Sequence, residues 1–103
     1  MTPVGRQFEF EWDEAKALTN LRKHGISFEF ASTIFNDPAL LTIADVEHGE
    51  NEERWFSIGT AGNKALISAA YLWEEISAEV VRIRLISARK ATNIEIRYYQ
   101  EGL

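Results

Sequence analysis

The chain contains no cysteine, which excludes a disulfide framework, a thiolate nucleophile and thiolate metal sites, and suits a reducing compartment. It has only two histidines, His24 and His48, so imidazole chemistry is confined to those positions. Nothing in the sequence pairs them at metal-ligand spacing, and no metal or other cofactor is expected. No run approaches the roughly 18 apolar residues needed to span a bilayer, and residues 1–7 lack the apolar core of a secretory signal. The expectation is a cytoplasmic protein that does not engage membranes. There is also no glycine-rich phosphate loop, no serine elbow and no paired-acid motif in a recognisable frame.

What is present fits one domain. With 103 residues, 46% hydrophobic and 26% charged, the chain is long enough for one core and too short for two, so residues 1–103 are read as a single domain. The formal net charge of −5 has the wrong sign for a simple nucleic-acid binder. Its distribution is uneven, however. Carboxylates crowd residues 9–14 and 45–53, while Arg82, Arg84, Arg89, Lys90 and Arg97 gather near the end. A basic face on an acidic protein is compatible with that layout.

Periodicity gives the elements. Residues 8–12 alternate aromatic and acidic side chains, as a half-buried strand does, and Asp13 is suited to cap a following helix. Residues 14–24 carry Ala15, Leu18 and Leu21 at helical spacing, and Gly25 suits a left-handed C-cap. Ser27 caps a second helix to about residue 35, with Phe28, Ala31, Ile34 and Phe35 as its apolar face and Asp37-Pro38 as its stop. Four strands follow at 40–44, 54–58, 66–73 and 80–87, close enough in sequence to pair antiparallel. Thr92 with Glu95 forms a capping-box pattern opening a short C-terminal helix that ends near Gly102. The predicted fold is α+β: an antiparallel sheet of about four to five strands, two N-terminal helices and one C-terminal helix. The helices cover one face and leave the other free.

Strand 80–87 is the most informative for chemistry. Alternation puts Val81, Ile83 and Leu85 on one face and Arg82, Arg84 and Ile86 on the other. Arg89 follows at its end, and Arg54 lies on a strand of the same predicted sheet. Guanidinium groups suit phosphate because their planar fork donates paired hydrogen bonds and stays charged. A second reading has these arginines solvated and paired with the many carboxylates. Lys23 and His24 close the first helix, where cations interact favourably with the last carbonyls. Imidazole is also the side chain best suited to proton transfer near neutrality. His48 sits in an acidic loop and is read as solvated. Of Tyr98 and Tyr99, at least one packs on the core, and the other is available to bond a ligand or stack on a base. Trp12, Trp55 and Trp73 are read as core or interface anchors.

Beyond pattern, the residues Trp12-Asp13, Lys16, Asn20, Lys23-His24-Gly25, Phe28, Ala31, Phe35 and Asp37-Pro38 resemble the first half of BrnT toxins. The residues Glu53-Arg54, Gly59, the run from Arg84 to Thr92, Glu95 and Tyr99 are similar to the closing half of that family, in the same order. The resemblance covers roughly residues 8–101. It implies a RelE-like fold and a metal-independent endoribonuclease that cleaves RNA and inhibits translation. It also implies a type II system in which a BrnA-like antitoxin neutralises the toxin in a hetero-oligomer and contacts DNA on its behalf. On residue type and resemblance together, Arg54, Arg84 and Arg89 would bind phosphate and stabilise the transition state, Lys23 or His24 would move a proton or position substrate, and Tyr99 would make a hydrogen bond at the site. The sequence departs from the family in the longer, more acidic segment 72–80 and in its overall acidity. The rival reading is a non-catalytic interaction protein that binds a basic, antitoxin-like partner and acts only in a repressor complex.

Overall fold

The computed structural model describes residues 7–44 and 54–102. Strand β1 (Gln7–Glu11) is followed by helix α1 (Glu14–His24), helix α2 (Phe28–Ser32) and a 3₁₀ turn (Thr33–Asn36). Strands β2 (Leu41–Ala44), β3 (Arg54–Thr60), β4 (Leu66–Glu75) and β5 (Val80–Lys90) come next, and helix α3 (Asn93–Glu101) closes the chain. The local signals act as expected. Asp13 accepts from the Lys16 N–H at 3.0 Å, Ser27 accepts from the Phe30 N–H at 3.0 Å, and Gly25 takes the left-handed conformation at φ 69°. Thr92 and Glu95 form a reciprocal capping box, which satisfies two backbone donors that would otherwise be orphaned at the helix start.

The sheet is α+β in setting but mixed in direction, with order β1-β5-β4-β3-β2. Strands β2 to β5 form the expected antiparallel meander. Strand β1 instead runs parallel to β5, with Phe8 beside Val81 and Glu11 beside Arg84. This corrects the all-antiparallel expectation, and the reason is topological. Between β1 and the meander lie two helices that carry the chain from one edge of the sheet to β2 at the other, so no short hairpin sets the direction of β1 against β5.

One sheet face carries the main core. Val81, Ile83, Leu85 and Ala88 of β5, with Ile67, Ala69 and Tyr71 of β4, pack against Phe28, Ala31, Ile34 and Phe35. A buried hydroxyl chain crosses this face, from Tyr71 to Ser57 at 2.6 Å and on to Thr42 at 2.9 Å. Tyr71 is held above the ordinary phenol range by burial, with Ser57 and Thr42 bonding in the opposite sense. The three tryptophans pack at the core's edge.

Helix α1 departs from its predicted orientation. Leu18 and Leu21 are 53% and 45% exposed, and Ala15 is exposed as well. The buried residue of the helix is Asn20. Its amide donates to the carbonyls of Ala88 (2.8 Å) and Ile26 (3.0 Å) and accepts from the Ala88 N–H (3.0 Å). Strand β1 stops at the level of Arg84, so β5 beyond that point has a bare edge on this side. An asparagine that reproduces a strand's donor and acceptor closes that edge. Satisfying buried backbone groups outweighs burying two leucines here.

A bulge changes the phase of β5. Ser87 pairs with Ala70 and Leu85 pairs with Tyr71, so Ile86 has no partner opposite it. Without this extra residue, Arg89 would fall on the core face with Val81 and Ile83. With it, Ala88 is buried and Arg89 points the other way, onto the face shared by Arg82 and Arg84.

Candidate active site on the second sheet face

The strand registers order this face into cross-strand rows. Arg54, Leu72, Arg84 and Glu11 form one row. Ile43, Phe56, Ala70 and Ser87 form the next, and Leu41, Ile58, Ser68 and Arg89 the one after. Opposed residues on paired strands share a face, so Arg54, Arg84 and Arg89 all project from it, around the apolar strip of Phe56, Ala70 and Leu72. The sequence grouped these arginines by type, and the fold brings them to one surface.

The face is not wholly free, which corrects the expectation that helices cover only the opposite side. Helix α3 folds over its far end. Glu95 accepts both guanidinium arms of Arg89, at 2.8 and 2.9 Å, and also the hydroxyl of Ser68 at 2.8 Å and the Thr92 N–H at 2.9 Å. Burial works to raise the Glu95 pKa, but the Arg89 fork, the Thr92 N–H and the Ser68 hydroxyl outweigh it and hold the carboxyl at about 2. In turn Glu95 raises Arg89 above the ordinary arginine value, against the effect of burial. The Arg89 guanidinium also lies 5.8 Å from the centre of the Phe56 ring, within cation–π range.

A pH dependence follows. An unfolded glutamate titrates near 4.5, and the folded value is lower, so this group contributes stability above pH ~4.5 and loses it as pH falls toward 2. Because the Glu95 side chain is only 12% exposed but Arg89 is 38% exposed, the contribution is on the order of 2 kcal/mol after allowing for solvent screening. Urea unfolding at pH 7 and pH 3 should show wild type losing stability with acid and Glu95→Gln losing about 1 kcal/mol less, since by pH 3 somewhat over half of the contribution is gone.

Tyr99 is engaged at the same end. Its hydroxyl donates to Asp37 at 2.6 Å and contacts Thr60 Oγ1 at 3.2 Å. Asp37 also accepts the N–H groups of Thr60 and Ala39, each at 2.8 Å. Burial works to raise Asp37, but the Tyr99 hydroxyl and these N–H groups together place it below the usual carboxylate range. The same bond, with burial, raises Tyr99, against an opposing contribution from Thr60. Tyr99 therefore ties α3 to the turn before β2, and Tyr98 is the exposed member of the pair.

Lys23 and His24 are exposed at the end of α1 and line a groove of about 310 Å³ with Lys16, Thr19, Asn20, Ile86 and Ser87. The bulge makes this junction. Ser87 lies on the arginine face and also borders the groove, so the cationic end of α1 meets the sheet surface between Arg84 and Arg89. Among the described residues no three histidine, aspartate or glutamate side chains gather to hold a metal ion, and His48 lies outside those residues.

A family model described as the ribonuclease toxin BrnT of type II toxin-antitoxin systems matches residues 12–95. The chain belongs to this family. As a member of the BrnT family it is a ribonuclease toxin with an antitoxin partner. Among solved structures, the ribonuclease toxin BrnT of Brucella abortus shares the fold, with a TM-score of 0.58 and 21% identity over 84% of this chain and 100% of that one. No curated protein matches the chain. The segment matched to the BrnT family contains Lys23, His24, Arg54, Arg84 and Arg89, whereas Tyr99 and all of β1 fall outside it. No helix among the described residues is long and apolar enough to cross a membrane.

Two contributors were missed from sequence. Asn20 stood within the resemblance without a role, although a helix-disfavouring residue in mid-helix signals a specific side-chain bond. Glu11, which bonds Arg84 at 3.1 Å, depends on the pairing of residues more than 70 positions apart and left no local signal.

Proposed function

We propose that this chain is a metal-independent endoribonuclease that cleaves single-stranded RNA by attack of a ribose 2′-hydroxyl on the adjacent phosphate. The carrying observation is the cross-strand row that holds Arg54 and Arg84, both partly exposed, on one sheet face, with Arg89 turned onto the same face by the bulge. Attack at phosphorus concentrates negative charge on the phosphoryl oxygens, and fixed guanidinium donors stabilise that charge more than they stabilise the ground state. Arg54 and Arg84 bind the phosphate. Arg89, paired with Glu95 and resting on Phe56, presents its remaining N–H donors at the edge of the site. Lys23 or His24 delivers the proton to the leaving 5′-oxygen from the groove beside Ser87. Tyr99 acts by keeping α3 in place. An unpaired strand suits this surface because its phosphodiester can reach in-line geometry and its bases can splay onto Phe56.

A BrnA-like antitoxin neutralises the chain by covering this surface, any contact with operator DNA runs through that partner, and cleavage of messenger RNA in the cytoplasm halts translation. Net acidity elsewhere on the chain favours a basic partner surface, as the non-catalytic reading also requires, so turnover separates the two.

The test compares a labelled single-stranded RNA with the same strand carrying 2′-O-methyl groups throughout. Cleavage of the first alone, leaving 2′,3′-cyclic phosphate ends, is expected. Cleavage of both strands would rule out attack by the 2′-hydroxyl.

A further inference from the structure

The cleavage scheme lacks a base for the 2′-hydroxyl, and the second face offers four described carboxylates near its arginines. Glu95 has both oxygens occupied by the Arg89 fork, with Ser68 and Thr92 adding to one of them. Glu9 and Glu74 flank Arg82 at 3.6 and 3.1 Å, a row further from Arg54. Glu11 differs from all three. Its Oε1 accepts from Arg84 Nη1 at 3.1 Å, while its Oε2 stands 3.8 Å from Arg82 Nε, too far for a hydrogen bond. One oxygen is anchored by the Arg84 guanidinium, and among the described residues the other accepts no hydrogen bond. The side chain is 42% exposed, open to a substrate hydroxyl. Arg84 donates to Glu11 through one nitrogen, leaving its other donors to reach a phosphate, so base and phosphate would be separated by one guanidinium group.

Resting on the ribonuclease reading, we propose that Glu11 is the general base of RNA cleavage, with Arg84 aligning its carboxylate beside the reacting phosphate. Oε2 takes the proton from the 2′-hydroxyl as the O2′–P bond forms. The P–O5′ bond breaks, and the leaving oxygen takes a proton from the ammonium of Lys23 or protonated His24. The products are a 2′,3′-cyclic phosphate and a 5′-hydroxyl, and both side chains recover their starting state by exchange with water. Among the described residues, Arg82 and Arg84 from β5, Glu9 from β1 and Glu74 from β4 are the charged groups around this carboxylate.

The experiment measures single-turnover cleavage of a single-stranded RNA by wild type, Glu11→Gln and Glu11→Asp. It also measures binding of the all-2′-deoxy strand of the same sequence, with circular dichroism to show that each protein is folded. Glu11→Gln should cleave at least about 100-fold more slowly and bind the deoxy strand as tightly or more tightly, since a negative charge has been removed. Glu11→Asp should keep part of the rate. Cleavage by Glu11→Gln at or above the wild-type rate would reduce Glu11 to a counterion of Arg84. Parallel loss of cleavage and of deoxy-strand binding would assign it to positioning Arg84, and would overturn the proton-transfer role. Absence of cleavage by wild type, both alone and in a translating extract, would overturn the ribonuclease reading itself, and the base assignment with it.

Discussion

Replacing Asn20 by aspartate should cost about 3–5 kcal/mol of stability at pH 7, the penalty for burying a charge without a partner. The wild-type amide nitrogen lies 2.8 Å from the Ala88 carbonyl and 3.0 Å from that of Ile26. A carboxylate in the same place sets negative oxygen against both. It keeps only the bond from the Ala88 N–H. Domains of this size hold roughly 5–15 kcal/mol in total, so thermal unfolding should fall by more than about 12 °C. Asn20→Ala should be milder, about 2–4 kcal/mol, because it leaves three backbone groups short of partners without adding charge. Acid should narrow the gap for the aspartate variant, since a protonated carboxyl can donate to one carbonyl. Thermal melts of the three proteins at pH 7 and pH 4.5 check this, and an aspartate variant as stable as wild type at pH 7 would remove Asn20 as the clasp of β5.

Arg84→Ala should leave the fold nearly intact and reduce RNA cleavage by more than about tenfold, the scale expected for loss of one donor to a charged transition state. The two effects separate because of where the side chain sits. Arg84 is 44% exposed and its pair with Glu11 is at the surface, where such pairs contribute at most about 1 kcal/mol. Arg89→Ala could not make the same distinction, because Arg89 also anchors α3 through Glu95. Cleavage by folded Arg84→Ala at the wild-type rate would remove Arg84 from the site.

What could be read from sequence divides by range. Caps and helix ends were legible because each is decided within four residues: Asp13, Ser27, Gly25 and the Thr92–Glu95 box all act where expected. The buried face of α2 was legible because Phe28, Ala31, Ile34 and Phe35 meet one core. The face of α1 was not, because its apolar stripe competed with a polar clasp whose partner, Ala88, is 68 positions away. The parallel seating of β1 was illegible for the same reason, and with it the place of Glu11.

The arginine cluster was legible as a residue type and a strand phase, but only as far as Leu85. One unpaired residue, Ile86, decides which face Arg89 takes, and simple alternation carries no signal for a bulge. Glu95 was read as a helix cap and is one. That it also grips Arg89 and Ser68 needed the second face to be built. Tyr99 was read as a ligand contact, and in the fold its hydroxyl bonds Asp37 and Thr60.

The most direct measurement is incubation of the purified wild-type chain with end-labelled single-stranded RNA in excess chelator, alone and then in a translating extract. Cleavage in chelator that yields 2′,3′-cyclic phosphate ends is the predicted result. RNA left intact under both conditions by a folded protein would contradict the account.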